Sequence, residues 1–491
     1  MFEGGENVNN LLKSPFNLVG FFAAWSVLGT TSASAHVSEQ GFVLLLPTDI
    51  YVAAGCLAVV VSIIVVSLLP HAWARSIFRT TKIQDTGISS ETTVSGAEVI
   101  LSIASLVLLS VLILIGIIGT RDPLANLLPL TIWTVWWIPF VMLHCLLGNL
   151  WKWSNPWTGL HVLVFGRLDQ DPLIRLPAWL GVWPALLGFL SFVAFAIAYP
   201  APTDPAILAN VVLGYVLSTF VGMVVFGGEQ WLSRGECFTL FFRFASTLAP
   251  FQPRETGQQL VIGLPGWKAM ELLQLPVSLA LFVLTLLASG SFDGLNETFW
   301  WLAQIGVNPL EFPGRSAVIT PSIVGLIGAN ILLAGIFALS VWSGVVLAGV
   351  PDLEGYPVSF KTAFCRLALS VLPIAFVYHG SHYLISFLVN GQYVIAALSD
   401  PLANGSNYLG LENYQVTTGF LNSRDSVEQI WFSQAALIVT GHILAVLMAH
   451  CTIARLYNSR RQAFLCHIPI GVFMAAYTWF GLWLLAAPRG A

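Results

Sequence analysis

The chain has 491 residues, of which 56% are apolar and only 9% charged, with a mean hydropathy of +0.80. Soluble domains carry about a quarter charged residues, so this composition excludes a soluble globular fold. The 20 Lys and Arg and 24 Asp and Glu give a formal net charge of −4 without a basic stripe, which excludes nucleic acid as a partner. Continuous apolar runs, rather than short alternating strands, predict an all-α polytopic bundle of transmembrane helices.

The N-terminal segment, residues 1–35, has the pattern of a cleaved secretory signal peptide. A solidly apolar stretch over residues 18–30 is followed by Ala33-Ser34-Ala35. Small residues after a short apolar region are typical of a cleavage site. An uncleaved eleventh helix is the alternative. Cleavage would leave His36 at the mature N-terminus, where its amine and imidazole offer two nitrogens to a metal such as copper; a plain exposed terminus is the alternative.

The apolar runs predict ten mature helices in one integral-membrane domain of residues 36–491. They cover residues 51–69, 97–119, 128–147, 177–199, 206–226, 268–289, 321–346, 364–388, 428–450 and 467–487. With the mature N-terminus outside, fifteen Lys and Arg fall in inner loops and four in outer loops, a strong positive-inside bias. Long outer loops are expected near residues 291–321 and 390–427. The lipid bilayer is therefore an obligatory partner.

Histidines are the main candidates for chemistry at membrane depth, because charged residues are almost absent from the predicted helix centres. His379 and His382 are three residues apart, on one face of the eighth helix. His442 lies near the centre of the antiparallel ninth helix. Three imidazoles match a catalytic site for a divalent metal ion. Structural hydrogen bonds between helices and haem ligation by His379 and His442 are the alternatives.

The loop between these two helices supplies oxygen ligands and proton carriers to the same side of the membrane. Asp400 and Glu428 are the candidates for a general base or an orienting group, although loop charges are commonly just solvated. Tyr383 could polarise a bound oxygen or simply pack. Other candidates in this region are Tyr378, Glu412, Asp425 and Gln434.

Three adjacent His and Cys pairs fall at predicted inner helix ends: His144-Cys145, His450-Cys451 and Cys466-His467. Neighbours on a helix point about 100° apart, so one pair rarely supplies two ligands to one ion. A soft-metal site is one interpretation, and buried cysteines with interfacial histidines are the other.

The stretch from residue 378 to residue 454 resembles a family of polytopic bacterial membrane proteins related to membrane-bound fenitrothion hydrolase. The resemblance rests on His379-Gly380-Ser381-His382-Tyr383, Gly391-Gln392-Tyr393, Ser399-Asp400-Pro401, Gly441-His442 and the N-terminal Ala35-His36. It implies a location in the bacterial inner (cytoplasmic) membrane and hydrolysis of an organophosphorus triester. It also implies that the protein acts together with a related second subunit or a second copy of itself. Cys451 departs from the pattern, because an acidic residue is expected there.

These observations predict a membrane-embedded, metal-dependent hydrolase of a small apolar phosphotriester-like substrate. The metal would lower the pKa of a water and polarise the phosphoryl group, with Asp400 or Glu428 as the base. A transporter or metal-handling permease is the first alternative. A haem-binding membrane redox subunit is the second.

Overall fold

The computed structural model describes residues 46–85, 94–253, 259–272, 275–349, 352–353, 356–357, 359–411 and 414–489. The predicted signal peptide and His36 lie outside these residues. Within them, ten helices are long and apolar enough to cross a membrane, which confirms the all-α polytopic bundle. They are α1 (Thr48–Leu68), α2 (Gly96–Ile118), α3 (Leu127–Leu147), α4 (Ala178–Ala198), α5 (Pro205–Phe226), α6 (Val277–Asn296), α7 (Arg315–Ala348), α8 (Phe360–His382), α9 (Arg424–Leu456) and α10 (Arg460–Ala486).

Three of these helices form the buried centre of the bundle. In the most apolar 18-residue segment of each helix, 72% of α6, 67% of α8 and 61% of α9 is buried within the protein. In α2 the share is 17%, so most of its apolar side chains face outward, as expected for contact with lipid. Gly441 allows α9 to approach α8 closely, because a Cβ there would collide with the Val377 side chain.

The connections alternate between two faces, and most Lys and Arg residues lie on one of them, which we call the basic face. Short helices on this face are His71–Ser76, Trp151–Ser154, Thr158–Phe165, Gly228–Arg234, Cys237–Ser246 and Ala269–Glu271. An antiparallel sheet in the order β1-β3-β2 joins them, with β1 at Thr81–Asp85, β2 at Phe251–Pro253 and β3 at Gln259–Ile262. Strands β4 (Asp352–Leu353) and β5 (Tyr356–Pro357) pair there as well. The other face carries Phe299–Gln304, Pro309–Glu311, Leu384–Ser399 and Gly419–Asn422.

Helix α6 differs from the expected span of 268–289 at both ends. It begins at Val277, directly after Pro276, because proline lacks the N–H that a helix interior requires. It then continues to Asn296, so the residues from Ser291 onward, Asp293 among them, are helical rather than part of a loop. The loop expected near 390–427 is likewise helical at its start, within Leu384–Ser399.

Two helices near the centre are irregular. α3 is π-helical over Leu130–Phe140, with Pro139 inside this stretch. α8 contains a 3₁₀ turn at Leu369–Val371, just before Pro373. Proline removes a backbone donor, and π-helical turns occur frequently at functional sites. Both irregular helices line the cavity described next.

Candidate functional site

A cavity lies between α3, α4, α6, α8 and the short helix Cys237–Ser246. Its volume is about 50 Å³, and one water needs roughly 10–15 Å³ on this measure, so it has room for a few waters. The apolar wall includes Trp137, Phe189, Phe192, Phe241, Leu286 and Phe376. The polar groups at the cavity are Ser289, Asp293, Tyr378, His379, His382 and Tyr383.

Asp293 is the acidic residue of this site. Two side chains bind it: His382, the last residue of α8, and Tyr383, which follows it. His382 Nε2 lies 3.2 Å from Asp293 Oδ2, and the Tyr383 hydroxyl donates a hydrogen bond to the same oxygen. The side chains of His382 and Asp293 are only 6% and 20% exposed. Tyr383 lies at the junction between the end of α8 at His382 and the next helix, which begins at Leu384. Asp293 was not among the candidates from the sequence, because it falls in the stretch that was expected to be an outer loop.

Two polar atoms beside this carboxylate are buried without a hydrogen-bond partner among the residues described: His382 Nδ1 and the Tyr378 hydroxyl. The two rings stack, with centroids 5.7 Å apart and planes inclined by 10°. Gly294 makes room for the Tyr378 hydroxyl, because a Cβ at that position would collide with it. Unsatisfied buried polar atoms are costly, and a group of them at a cavity is a candidate for ligand contact.

His379 lies on the same cavity but has a different partner. Its Nε2 is 2.6 Å from the Trp137 carbonyl oxygen, in the π-helical part of α3. Because a carbonyl only accepts, Nε2 carries the proton and Nδ1 carries the lone pair. His379 and His382 are therefore brought together at one cavity, as their three-residue spacing predicted.

His442 does not line this cavity. Its Nδ1 is 2.8 Å from the carbonyl oxygen of Ile438, one turn earlier in α9. Its ring faces Tyr477 of α10, with centroids 6.4 Å apart. Tyr477 is in turn hydrogen-bonded to Ser291 at 2.6 Å. His442 thus belongs to the contact among α6, α9 and α10.

The predicted acidic partners also lie away from the cavity lining. Asp400 ends the helix Leu384–Ser399 and accepts hydrogen bonds from the backbone N–H groups of Asn404 and Gly405, at 3.0 and 2.8 Å. It therefore holds a turn. Glu428 lies partly exposed in the second turn of α9. Both residues remain candidates from the sequence, but the residue that faces the histidines is Asp293.

A metal ion at this site would use the Nδ1 atoms of His379 and His382. Their Nε2 atoms face a carbonyl and a carboxylate, the arrangement that usually orients metal-binding histidines. A catalytic zinc site needs three protein ligands, however. Within the described ranges, no group of three His, Cys, Asp or Glu residues is arranged to hold a metal ion. The described side chains therefore do not form the three-histidine site, and the metal stays a prediction.

The His and Cys pairs of the basic face are separated into two places. Both ring nitrogens of His144 form hydrogen bonds. Nδ1 donates to the carbonyl oxygen of Phe140 at 2.7 Å, and Nε2 accepts from the backbone N–H of Trp151 at 2.9 Å. His144 therefore fixes the end of α3 against the next helix. His450 and His467, in contrast, meet edge to face between α9 and α10, with their ring planes inclined by 66°.

Comparison of the chain with protein-family models, with curated proteins and with solved structures gives no match in any of the three. The function is therefore inferred from the geometry of the site.

Proposed function

We propose that the protein is a membrane-embedded hydrolase of small apolar esters, with neutral phosphotriesters as the first substrate class to test. One observation carries this proposal: His382 lines an aromatic cavity, its Nε2 is bound by the largely buried carboxylate of Asp293, and its Nδ1 has no hydrogen-bond partner among the residues described. An acid–base residue that is oriented by a second group, beside space for a reactant, is the arrangement that general-base hydrolysis requires.

In the proposed reaction, Nδ1 of His382 takes a proton from a water in the cavity. The water oxygen forms a bond to phosphorus, the bond from phosphorus to the aryl oxygen breaks, and the aryl oxide leaves with the proton that His382 held. Asp293 holds the imidazole in place and stabilises its positive charge. In this proposal the Tyr378 hydroxyl, which has no other partner among the described residues, donates a hydrogen bond to the phosphoryl oxygen as negative charge develops there.

The size of the cavity restricts how a substrate can bind. A volume of about 50 Å³ accommodates water, whereas pockets for drug-sized ligands measure roughly 300–1,000 Å³. The phosphoryl group of the substrate must therefore enter the cavity, while the apolar remainder of the substrate stays among displaced aromatic side chains or in the bilayer. A neutral, apolar ester suits this because it already concentrates in lipid.

Turnover by the purified full chain in lipid nanodiscs tests the proposal. The probes are diethyl p-nitrophenyl phosphate and p-nitrophenyl butyrate, both followed by nitrophenolate release. We expect turnover of at least one probe, lost in His382→Gln and kept in His442→Gln. Absence of turnover with both probes, or equal turnover in the two variants, would contradict the proposal.

Chelation followed by metal analysis tests the metal prediction separately: a required metal would be found in the active protein, and its removal would abolish turnover.

A proton-coupled transporter is the second candidate, because Asp293 is an ionisable residue within a spanning helix. Reversible protonation of Asp293 next to His382 could couple to movement of a solute. Proteoliposomes distinguish the two functions: a transporter moves the intact ester across the bilayer in response to a pH gradient, whereas a hydrolase releases nitrophenolate without one.

A further inference from the structure

A second group of buried histidines lies near the basic face, away from the cavity. The rings of His450 in α9 and His467 in α10 have centroids 4.9 Å apart. These residues are 5% and 1% exposed. His71, from the short helix after α1, lies close enough to His450 to interact with it electrostatically. Helices α9 and α10 therefore bring two buried imidazoles into contact.

The hydrogen bonds of Ser67 determine which nitrogen of His467 carries the lone pair. Ser67 Oγ donates its proton to the carbonyl oxygen of Ile63 at 2.7 Å. It therefore acts as the acceptor towards His467 Nδ1, which is 3.1 Å away. Nδ1 must carry the ring proton, and Nε2 carries the lone pair. Metal-binding histidines are commonly held in this way, with the remote N–H anchored.

The other nitrogens of this group lack partners. Nε2 of His467, Nδ1 of His450 and Nε2 of His71 are buried, and no atom of the residues described here hydrogen-bonds to them. Leaving a buried polar atom unsatisfied costs about 1–3 kcal/mol. Two of these atoms, on His450 and His467, belong to rings in direct contact, and together they point to a ligand that binds nitrogen.

We propose that His450 and His467 bind a soft monovalent metal ion of the Cu(I) class. Only a two-nitrogen pair is available, because the described part of the chain has no group of three metal-binding side chains. Structural zinc requires four ligands, whereas Cu(I) accepts two, and imidazole is a good copper ligand.

The Cys466 thiol points away from the neighbouring His467 ring. Cys466 Sγ packs against α7 at Gly344, whereas His467, its neighbour, faces Ser67 of α1. Neighbours on a helix diverge by about 100°, which explains the separation. The site is therefore expected to use nitrogen alone.

The test is competition for Cu(I) between the full chain in nanodiscs and a coloured Cu(I) chelator, without oxygen. We expect one Cu(I) per chain, with affinity reduced about tenfold or more in His450→Gln and in His467→Gln. His442→Gln is the matched control, because it removes a buried histidine from the same helix eight residues away, and it should bind as the wild type does. Thermal unfolding of each variant shows whether it is folded.

X-ray absorption of the copper-loaded wild type gives a second readout that does not depend on the variants folding. We expect a two-coordinate Cu(I) shell of nitrogen. A sulfur neighbour, no Cu(I) withheld from the chelator by the wild type, or undiminished binding in folded His450→Gln and His467→Gln would overturn the proposal.

Discussion

His144 near the end of α3 and His382 at the end of α8 are both buried histidines, but the protein uses their ring nitrogens differently. His144 donates from Nδ1 to Phe140 O and accepts at Nε2 from the Trp151 N–H. His382 binds Asp293 through Nε2, while Nδ1 has no partner within the part of the chain described. A histidine with both nitrogens engaged serves structure, and one with a single engaged nitrogen at a cavity is available for chemistry.

The largest expected effect in this comparison is that of His382→Gln. It removes the proposed base while keeping a polar side chain of similar length, so turnover should fall by about 10³-fold. The melting temperature should change little. The measurement is the steady-state rate in nanodiscs together with thermal unfolding of the same preparation. Comparable losses of rate and stability would show that His382, like His144, has a structural role.

Asp293→Asn should have the next largest effect. The amide keeps the shape of the carboxylate but cannot stabilise a protonated imidazole, so the maximal rate should fall by about 10²-fold. The apparent affinity for substrate should change much less, since Asp293 is proposed to act through His382. Full kinetic curves in nanodiscs check this. A change confined to KM would show that Asp293 contributes only to binding.

His144→Phe probes the structural side of the comparison. Phenylalanine preserves packing against Phe242 but leaves the Trp151 N–H without its acceptor. The free energy of unfolding should fall by about 2 kcal/mol, the cost of leaving a buried amide unsatisfied. Denaturant or thermal unfolding in a fixed detergent measures it. The rate per folded molecule should equal that of the wild type, and a selective loss of rate would be inconsistent with a purely structural role.

Tyr383→Phe should have the smallest effect. It removes one of the two hydrogen bonds to Asp293 Oδ2 and leaves the contact with His382. One such hydrogen bond contributes on the order of 1 kcal/mol, so the rate should fall about fivefold. Initial rates provide the check. A loss as large as that of His382→Gln would instead give Tyr383 a direct role in the reaction.

The helices were predictable from the sequence because each long apolar run must cross the bilayer. The ends were harder to predict. Pro276 falls inside an apolar stretch, and the expected span of 268–289 continued through it although proline lacks the N–H of a helix interior. The expected helix was therefore shifted towards the N-terminus relative to α6, and Asp293 fell in a loop. Attention to this proline would have moved the helix and revealed a carboxylate within it.

The candidate site was predictable in part. The shared face of His379 and His382 follows from helical spacing, and the structure places both at one cavity. The position of His442 depends on how α9 rotates and packs against α8 and α10, which the sequence of a single helix does not specify. The role of Asp400 in a turn likewise depends on backbone geometry, through its bonds to Asn404 and Gly405.

In the proposed reaction, water activated by His382 attacks the ester at the cavity. Hydrolysis of diethyl p-nitrophenyl phosphate in ¹⁸O-labelled water, with the full chain in nanodiscs, tests it most directly. We predict one ¹⁸O atom in the diethyl phosphate product of the wild type, and product only at the uncatalysed level in His382→Gln. Unlabelled diethyl phosphate or equal product from the two proteins would contradict this mechanism, as would the absence of turnover with both this ester and p-nitrophenyl butyrate.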